Sequence, residues 1–193
     1  MPYSSLNEFV ELLEKKGELV RVKEEVDPVL EITAIVDQVS KSPGGGKALL
    51  FEKPKGSSYP VLINAFGSYK RMSLSLGVED LEEHAAAIKE LLELKPPKGL
   101  VDKLKFLPKL AEIAKFPPTE VSKGACQEVV EKDPDLNTLP ILKCWPQDGG
   151  RFITLPLVYT QDPETGIRNI GMYRIQVYDA KTTGMHWQVH HGG

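Results

Sequence analysis

The feature that most constrains the fold is a change of texture at Phe116-Pro117-Pro118. Before that step, apolar residues recur at the three- and four-residue spacing of amphipathic helices, alternating with short strand-like runs. After it, helical periods give way to apolar stretches bounded by proline, glycine and aspartate, the punctuation of strands and turns. A chain that switches period once, at a double proline no helix interior tolerates, is not a helical bundle. The pattern predicts an α+β protein in two parts: an N-terminal α/β domain over 1–115 and a strand-rich domain over 116–193.

In the first part, Ser5 with Glu8 three residues on predicts a capping box, followed by Leu6, Phe9, Val10 and Leu13 on one helical face and a left-handed Gly17. A strand is expected over 18–22. Asp27-Pro28 reads as N-cap and first residue of a helix to Ser40, and strands are expected over 48–52 and 61–65. The strongest helix spans 80–94, stopped at Lys95-Pro96-Pro97, and a further short helix or two, broken at Pro108, is expected over 100–115. Gly44-Gly45-Gly46-Lys47 lacks the Ser or Thr of a phosphate loop, Ala48 standing there, so it reads as a flexible loop. In the second part, a strand over 152–160 is interrupted at Pro156, which suggests an edge or a bulge. A hairpin turn at Asp162-Pro163-Glu164-Thr165-Gly166 leads to a strand over 167–178, and a third strand is expected over 185–191.

Several function classes are excluded or disfavoured. A hydrophobic share of 41% and a charged share of 26% describe a globular chain. A net charge of −3 supplies no drive toward nucleic acid or an anionic membrane. No apolar run reaches the roughly 20 residues of a membrane span, and the N-terminus, with early acids, does not read as a signal peptide. Cys126 and Cys144 form no CxxC pair and read as idle thiols, so the expected compartment is the cytoplasm. Ending at His190-His191-Gly192-Gly193, inside a strand-turn signal, the chain reads as the front part of a longer polypeptide.

Chemistry concentrates near that end. His186, His190 and His191 lie within six residues. They read either as metal or phosphate ligands or as solvated histidines. If the last two strands pair residues whose numbers sum to about 360, Asn169 falls opposite His191. An amide oxygen beside an imidazole is part of a cation site. A hard cation also wants carboxylate oxygen, and no Asp or Glu follows Asp179. Arg174 is the best candidate for gripping a carboxylate or phosphate with its planar fork. Odd spacing would aim Asn169 and Arg174 to opposite faces of a regular strand; a bulge at Gly171 could bring them together.

The string Leu139-Pro140-Ile141-Leu142, Trp145-Pro146, Asp148-Gly149-Gly150, Asp162-Pro163-Glu164-Thr165-Gly166, Arg168-Asn169-Ile170-Gly171-Met172-Tyr173-Arg174 and His186-Trp187 to His191-Gly192 closely resembles the UbiD-type decarboxylases. These are the 3-polyprenyl-4-hydroxybenzoate decarboxylase-like enzymes that use prenylated FMN. The resemblance covers the whole chain and implies that the N-terminal α/β domain is followed by the first, truncated part of a flavin-reductase-like split β-barrel. It implies reversible non-oxidative decarboxylation of a small aromatic or α,β-unsaturated carboxylic acid, the cofactor carrying the electronics. The implied partners are Mn²⁺ and in some members K⁺, a prenyltransferase that supplies the prenylated FMN, and copies of the full-length enzyme in a homo-oligomer.

By motif position, the resemblance makes Asn169 a metal ligand and gives His191 the same role less firmly, with His190 as the fallback. Ile170, Met172, Tyr173, Arg174, His186, Trp187, Gln188 and Gly192 then join them around the flavin, and Arg174 is the catalytic candidate that orients the substrate carboxylate. The carboxylates of the family's metal site and acid network would have to lie beyond residue 193, so the 193-residue chain is expected to be inactive alone. The alternative is a flavin-binding or assembly module without decarboxylase activity, distinguishable by a plain FMN spectrum or by a co-purifying partner.

Overall fold

A computed structural model describes residues 3–93, 99, 106–108, 110, 111, 113–115, 117, 119–190 and 192. The chain packs as two units, Met1–Glu79 with Asp133–Gly193, and Asp80–Lys132.

The first unit opens with helix α1 (Leu6–Lys15), which buries Phe9, Val10 and Leu13. The Ser5 hydroxyl accepts the Glu8 N–H at 3.3 Å. The Glu8 carboxylate turns to Ser4, taking its N–H and hydroxyl at 2.8 Å each, so the reciprocal half of the cap closes one residue earlier than expected. Gly17 is left-handed at φ 68° and turns the chain into β1 (Leu19–Val26), a longer strand than expected. β1 lies parallel to β2 (Ala48–Pro54), and β2 pairs antiparallel with β3 (Val61–Ile63).

Helix α2 (Glu31–Ser40) begins later than Asp27-Pro28 predicts. Lys143 accepts the Leu30 N–H at 2.9 Å and donates to the Pro28 carbonyl at 3.2 Å. That bridge holds 28–30 out of the helix, and Asp27 Oδ1 caps Val29 instead, at 2.8 Å. Val26, Ile32, Leu49 and Phe51 form one core cluster, against which Leu142 packs, and Phe9, Leu13 and Ala48 form another. The strand-rich stretch is thereby tied to the N-terminal sheet by a backbone bridge and an apolar plug.

Helix α3 (Tyr69–Leu76) is capped by Ser68 and closed by Gly77 at φ 71°. Its Arg71 is fully buried. The guanidinium donates to Glu18 Oε2 at 3.2 Å, to the Gly46 carbonyl at 2.7 Å and to the Gly45 carbonyl at 3.3 Å. Asn64 Nδ2 also donates to Gly45 and Lys47 carbonyls. A Cβ on Gly45 would lie 1.7 Å from the Gly67 carbonyl oxygen. The glycine run, expected to be flexible, is instead a 3-10 turn over Pro43–Gly45 whose carbonyls are fastened by the Asn64 and Arg71 donors. Lys70 and then Arg71 hold the Glu18 carboxyl below the usual carboxylate range against the opposing effect of burial.

In the second unit, α4 (Leu81–Leu92) carries a complete capping box: Asp80 Oδ1 accepts from Glu82 N and Glu83 Oε1 from Asp80 N, each at 3.1 Å. The helix expected over 100–115 falls largely outside the described residues.

Five short strands complete the first unit: β4 (Arg151–Ile153), β5 (Leu157–Gln161), β6 (Arg168–Met172), β7 (Ile175–Val177) and β8 (Thr183–Met185). β4 through β7 form one hairpin folded at its middle. Ile153 pairs with Ile175 and Leu157 with Met172, leaving 154–156 opposite only 173 and 174. The break falls at Pro156, as expected, because proline cannot donate to a ladder. The strand expected over 167–178 is therefore two strands in two sheets. β5 and β6 form a two-stranded ribbon, while β4, β7 and β8 form a sheet in the order β4-β7-β8. The 360 register holds where β7 meets β8, Ile175 pairing with Met185 and Val177 with Thr183. It persists for one more bond, His186 N to the Arg174 carbonyl at 3.0 Å. The third strand expected over 185–191 instead ends at Met185. The architecture is α+β, with small sheets and no closed barrel among the described residues.

Arg71→Met should lower stability by about 1–3 kcal/mol, because the Gly46 carbonyl loses its donor while Glu18 keeps Lys70 and the Gly45 carbonyl keeps Asn64, as a urea titration would show. Glu18 has a lowered folded pKa, so its contribution is present above the ordinary glutamate value and is lost as pH falls through the lowered one. Glu18→Gln should accordingly flatten the acid limb of the stability–pH curve and leave the curve's shape above pH about 6 unchanged.

Candidate cofactor site

The site builds on the fold of the hairpin. Along β6 the side chains alternate, so Asn169 and Gly171 share one face and Arg168, Ile170 and Met172 the other. On its β5 side Asn169 pairs across the ribbon with Thr160. The chain also returns to it, since an ideal Cβ on Gly192 would sit 2.9 Å from Asn169 Oδ1. Thr160, Gln161, Asp162, Asn169, Trp187 and Gly192 are among the residues lining a cleft of about 740 Å³ there. His191 lies outside the described residues.

The expected neighbours of Asn169 divide between this cleft and other surfaces. Trp187 and Gly192 join it in the cleft. Tyr173 is buried and its Oη accepts the Asn169 Nδ2–H at 3.3 Å. Ile170 and Met172 are exposed on the opposite face, paired across the ribbon with exposed Tyr159 and Leu157. His186, Gln188 and His190 are exposed and follow the end of β8, so strand parity does not set their directions.

Arg174 does not line the cleft. Its Nη2 donates to Asp148 Oδ2 at 3.2 Å, and its guanidinium carbon lies 3.6 Å above the Phe152 ring centroid. Stacking of this kind is worth about 0.5–1 kcal/mol at an exposed position. The interruption between β6 and β7 falls at Tyr173 and Arg174 rather than at Gly171, and it turns Arg174 away from Asn169. Sequence reasoning missed both Asp148 and the Phe152 ring as partners of Arg174. The available signal was that the Asp148-Gly149-Gly150 turn feeds directly into the strand carrying Phe152.

Electrostatically the cleft is incomplete. Asp162 is the carboxylate on its lining, and its Oδ1 accepts the Glu164 and Thr165 N–H groups at 2.7 and 3.1 Å. Those backbone bonds hold the Asp162 carboxyl below the usual range, so it stays ionised rather than acting as an acid near neutral pH. Among the described residues no three His, Cys, Asp or Glu side chains converge as a metal site. Among the described lining residues, Asn169, Gln161 and Thr160 offer neutral side-chain oxygens. That fits part of a hard cation's shell and not the whole of it.

Residues 10–91 match the 3-octaprenyl-4-hydroxybenzoate carboxy-lyase N-terminal domain, and residues 119–193 match the Rift-related domain of the same carboxy-lyase. The chain belongs to the UbiD family. An uncharacterized protein of Archaeoglobus fulgidus is 52% identical over 193 residues, which is 100% of this chain and 39% of that protein. The closed form of Sedimentibacter hydroxybenzoicus vanillic acid decarboxylase superposes with a TM-score of 0.75 at 33% identity, covering 98% of this chain and 38% of that one. An evolved dimeric form of the UbiD-class enzyme HmfF from Pelotomaculum thermopropionicum, in complex with prFMN, gives 0.69 at 29% identity, covering 97% and 39%. The chain thus spans about two-fifths of the length of the relatives it matches. As a UbiD-family chain it is related to flavin-dependent carboxy-lyases, and no helix among its described residues is long and apolar enough to cross a membrane.

Gly192→Ala should push the Asn169 amide aside and shift its side-chain NH₂ signals in a ¹⁵N spectrum. Because Gly192 is exposed, global stability should change by less than about 0.5 kcal/mol.

Proposed function

We propose that this chain is the N-terminal part of a decarboxylase that removes CO₂ reversibly and without oxidation from a small aromatic or α,β-unsaturated carboxylic acid, using prenylated FMN and Mn²⁺, with K⁺ as a second ion. The observation that carries the reading is Asn169, whose carbonyl oxygen borders an open cleft while its nitrogen is engaged by Tyr173. The division of family matches, 10–91 and 119–193, supports an N-terminal α/β domain over 1–115 and the opening strands of a flavin-reductase-like split barrel over 116–193.

In this reading Asn169 offers Oδ1 to the cation at the phosphate end of the flavin, and His191, or His190 in its place, adds an imidazole. Trp187 and Gly192 bound that end of the cofactor, and His186 and Gln188 approach it from the segment after β8. Ile170 and Met172 give the ring system an apolar surface, and Tyr173 supports the ribbon from behind. Arg174 leaves Asp148 to grip the substrate carboxylate, with Phe152 keeping the guanidinium flat. The prenylated flavin, when bound, supplies the electron sink that decarboxylation requires. A general acid and the remaining metal carboxylates belong to other parts of the enzyme, which works as a cytoplasmic homo-oligomer loaded by a prenyltransferase.

The test is to titrate purified chain into FMN with and without MnCl₂, then to add prenylated FMN and a panel of hydroxybenzoic and cinnamic acids. The expected outcome is weak, Mn²⁺-dependent quenching of flavin fluorescence and no CO₂ release. Turnover by the chain alone, or flavin affinity indifferent to Mn²⁺, would overturn the reading.

A further inference from the structure

An arginine awaiting a carboxylate substrate is an unbalanced charge unless water or another anion attends it. Arg174 has such an anion. Its Nη2 donates to Asp148 Oδ2 at 3.2 Å, and among the described residues this is the one carboxylate that the guanidinium meets. Phe152 covers one face of the guanidinium, with its ring centroid 3.6 Å from the central carbon. Further hydrogen bonds can therefore leave Arg174 only in the guanidinium plane.

The two partners are not equally free. Asp148 is anchored, since its Oδ2 also accepts the Trp145 N–H at 3.2 Å and its own N–H donates to the Trp145 carbonyl at 3.1 Å. Gln176 Nε2 ties down the next residue at the Gly149 carbonyl, at 3.0 Å. The Asp148 side chain is 15% exposed and that of Arg174 41%. Arg174 is the member that can swing, and the carboxylate stays behind. The bond is also a single one, through an oxygen already shared with a backbone donor. A guanidinium meeting a free carboxylate can form two parallel bonds and is held more tightly. A resting pair of this make neutralises the arginine yet yields to a ligand that uses the whole fork.

We propose that Asp148 is the resting counter-ion of Arg174, an internal carboxylate that the substrate carboxylate must displace. The proposal rests on the reading of Arg174 as the carboxylate grip. It makes Asp148 a positioning residue, which touches no substrate and acts through Arg174. Decarboxylation discharges the group that the arginine holds, because CO₂ leaves neutral and the bonding electron pair stays with the rest of the substrate. A tight hold on the carboxylate would stabilise the starting state more than the transition state. A competing aspartate offsets that hold, and it takes the guanidinium back once CO₂ has gone.

The test uses the ¹⁵N-labelled 193-residue chain with sodium benzoate as the probe. NaCl holds the ionic strength constant, because exposed ion pairs are screened by salt. The Arg174 Nε–H signal reports occupancy of the guanidinium, and the Trp145 amide reports the turn. Asp148→Asn removes the charge and keeps an acceptor for the Trp145 N–H, and Asp148→Ser does the same with a hydroxyl. Each should lower the benzoate concentration for half the Arg174 shift by about 2- to 5-fold, the range expected of a partly exposed ion pair. Asp148→Glu keeps the charge and should bind benzoate no more tightly than wild type. A merely structural loss would move the Trp145 amide and weaken benzoate binding instead. Half-shift concentrations in the Asn and Ser variants that match or exceed wild type would overturn the counter-ion role alone, as would tightening in Asp148→Glu. Benzamide, with the same ring and no charge, should leave the Arg174 signal in place in every protein. If benzoate shifts Arg174 in none of the proteins, or benzamide shifts it equally, the carboxylate grip fails and the counter-ion role with it.

Discussion

Pro156 has no N–H to give a ladder, and the arrangement of the candidate site follows from that lack. A hairpin with an unbroken ladder would place 151–161 against 168–177 as one ribbon, with Asn169 and Arg174 on opposite faces. With three residues against two at the fold, the ladder is broken and the two halves join different sheets. The two residues at the break, Tyr173 and Arg174, are released from pairing with the opposite strand. Tyr173 turns inward to Asn169, and Arg174 turns outward to Asp148 and Phe152. One missing donor thus distributes the chemistry of the motif between two surfaces.

The N-terminal sheet gives that hairpin its footing. A buried guanidinium is costly to desolvate, and at Arg71 the two terminal nitrogens are answered by hydrogen bonds while Nε is not. Arg71 meets one carboxylate and two glycine carbonyls, so it cross-links α3, the loop before β2 and the turn into β1. The strand-rich stretch then fastens to the same unit through the Val29–Lys143 bridge and the packing of Leu142 on the core. Function-bearing strands are held by contacts far from them in sequence.

Legibility followed the range of the interaction. Local signals read well: the Ser5 cap, Gly17, the Asp80–Glu83 box, the 162–166 turn and the interruption at Pro156 are each decided within a few residues. The register of β7 on β8 was also readable, because a short turn leaves little freedom. Non-local contacts were not readable. The start of α2 is set by Lys143, over a hundred residues away, and overrides an Asp-Pro signal. An arginine in a short helix reads as surface, yet Arg71 is interior because Glu18 and the glycine loop converge on it. In the site, the proximity of Asn169 to the end of the chain was anticipated, but by the wrong route. β8 stops at Met185, and the chain comes back to Asn169 at Gly192 as irregular backbone. The Tyr173 contact spans four residues of a strand, a spacing that no period-two argument singles out.

The β5–β6 ribbon has an apolar face and a mixed turn end, and this bears on what the ribbon can hold. On one face Leu157, Met172, Tyr159 and Ile170 stand exposed in cross-strand pairs. Burying side chains of that size is worth about 1.5–3 kcal/mol each, so the face gains from any flat apolar surface laid over it. At the turn end of the ribbon Asn169 lies on a cleft lined by polar and apolar groups alike, whose ionised aspartate is already committed to its own turn. Proton transfer to a reacting carbon requires an acid that is protonated near neutral pH. Asp162 is held in the wrong state for that task, so the acid in the proposed reaction must come from a carboxylate other than the one lining this cleft.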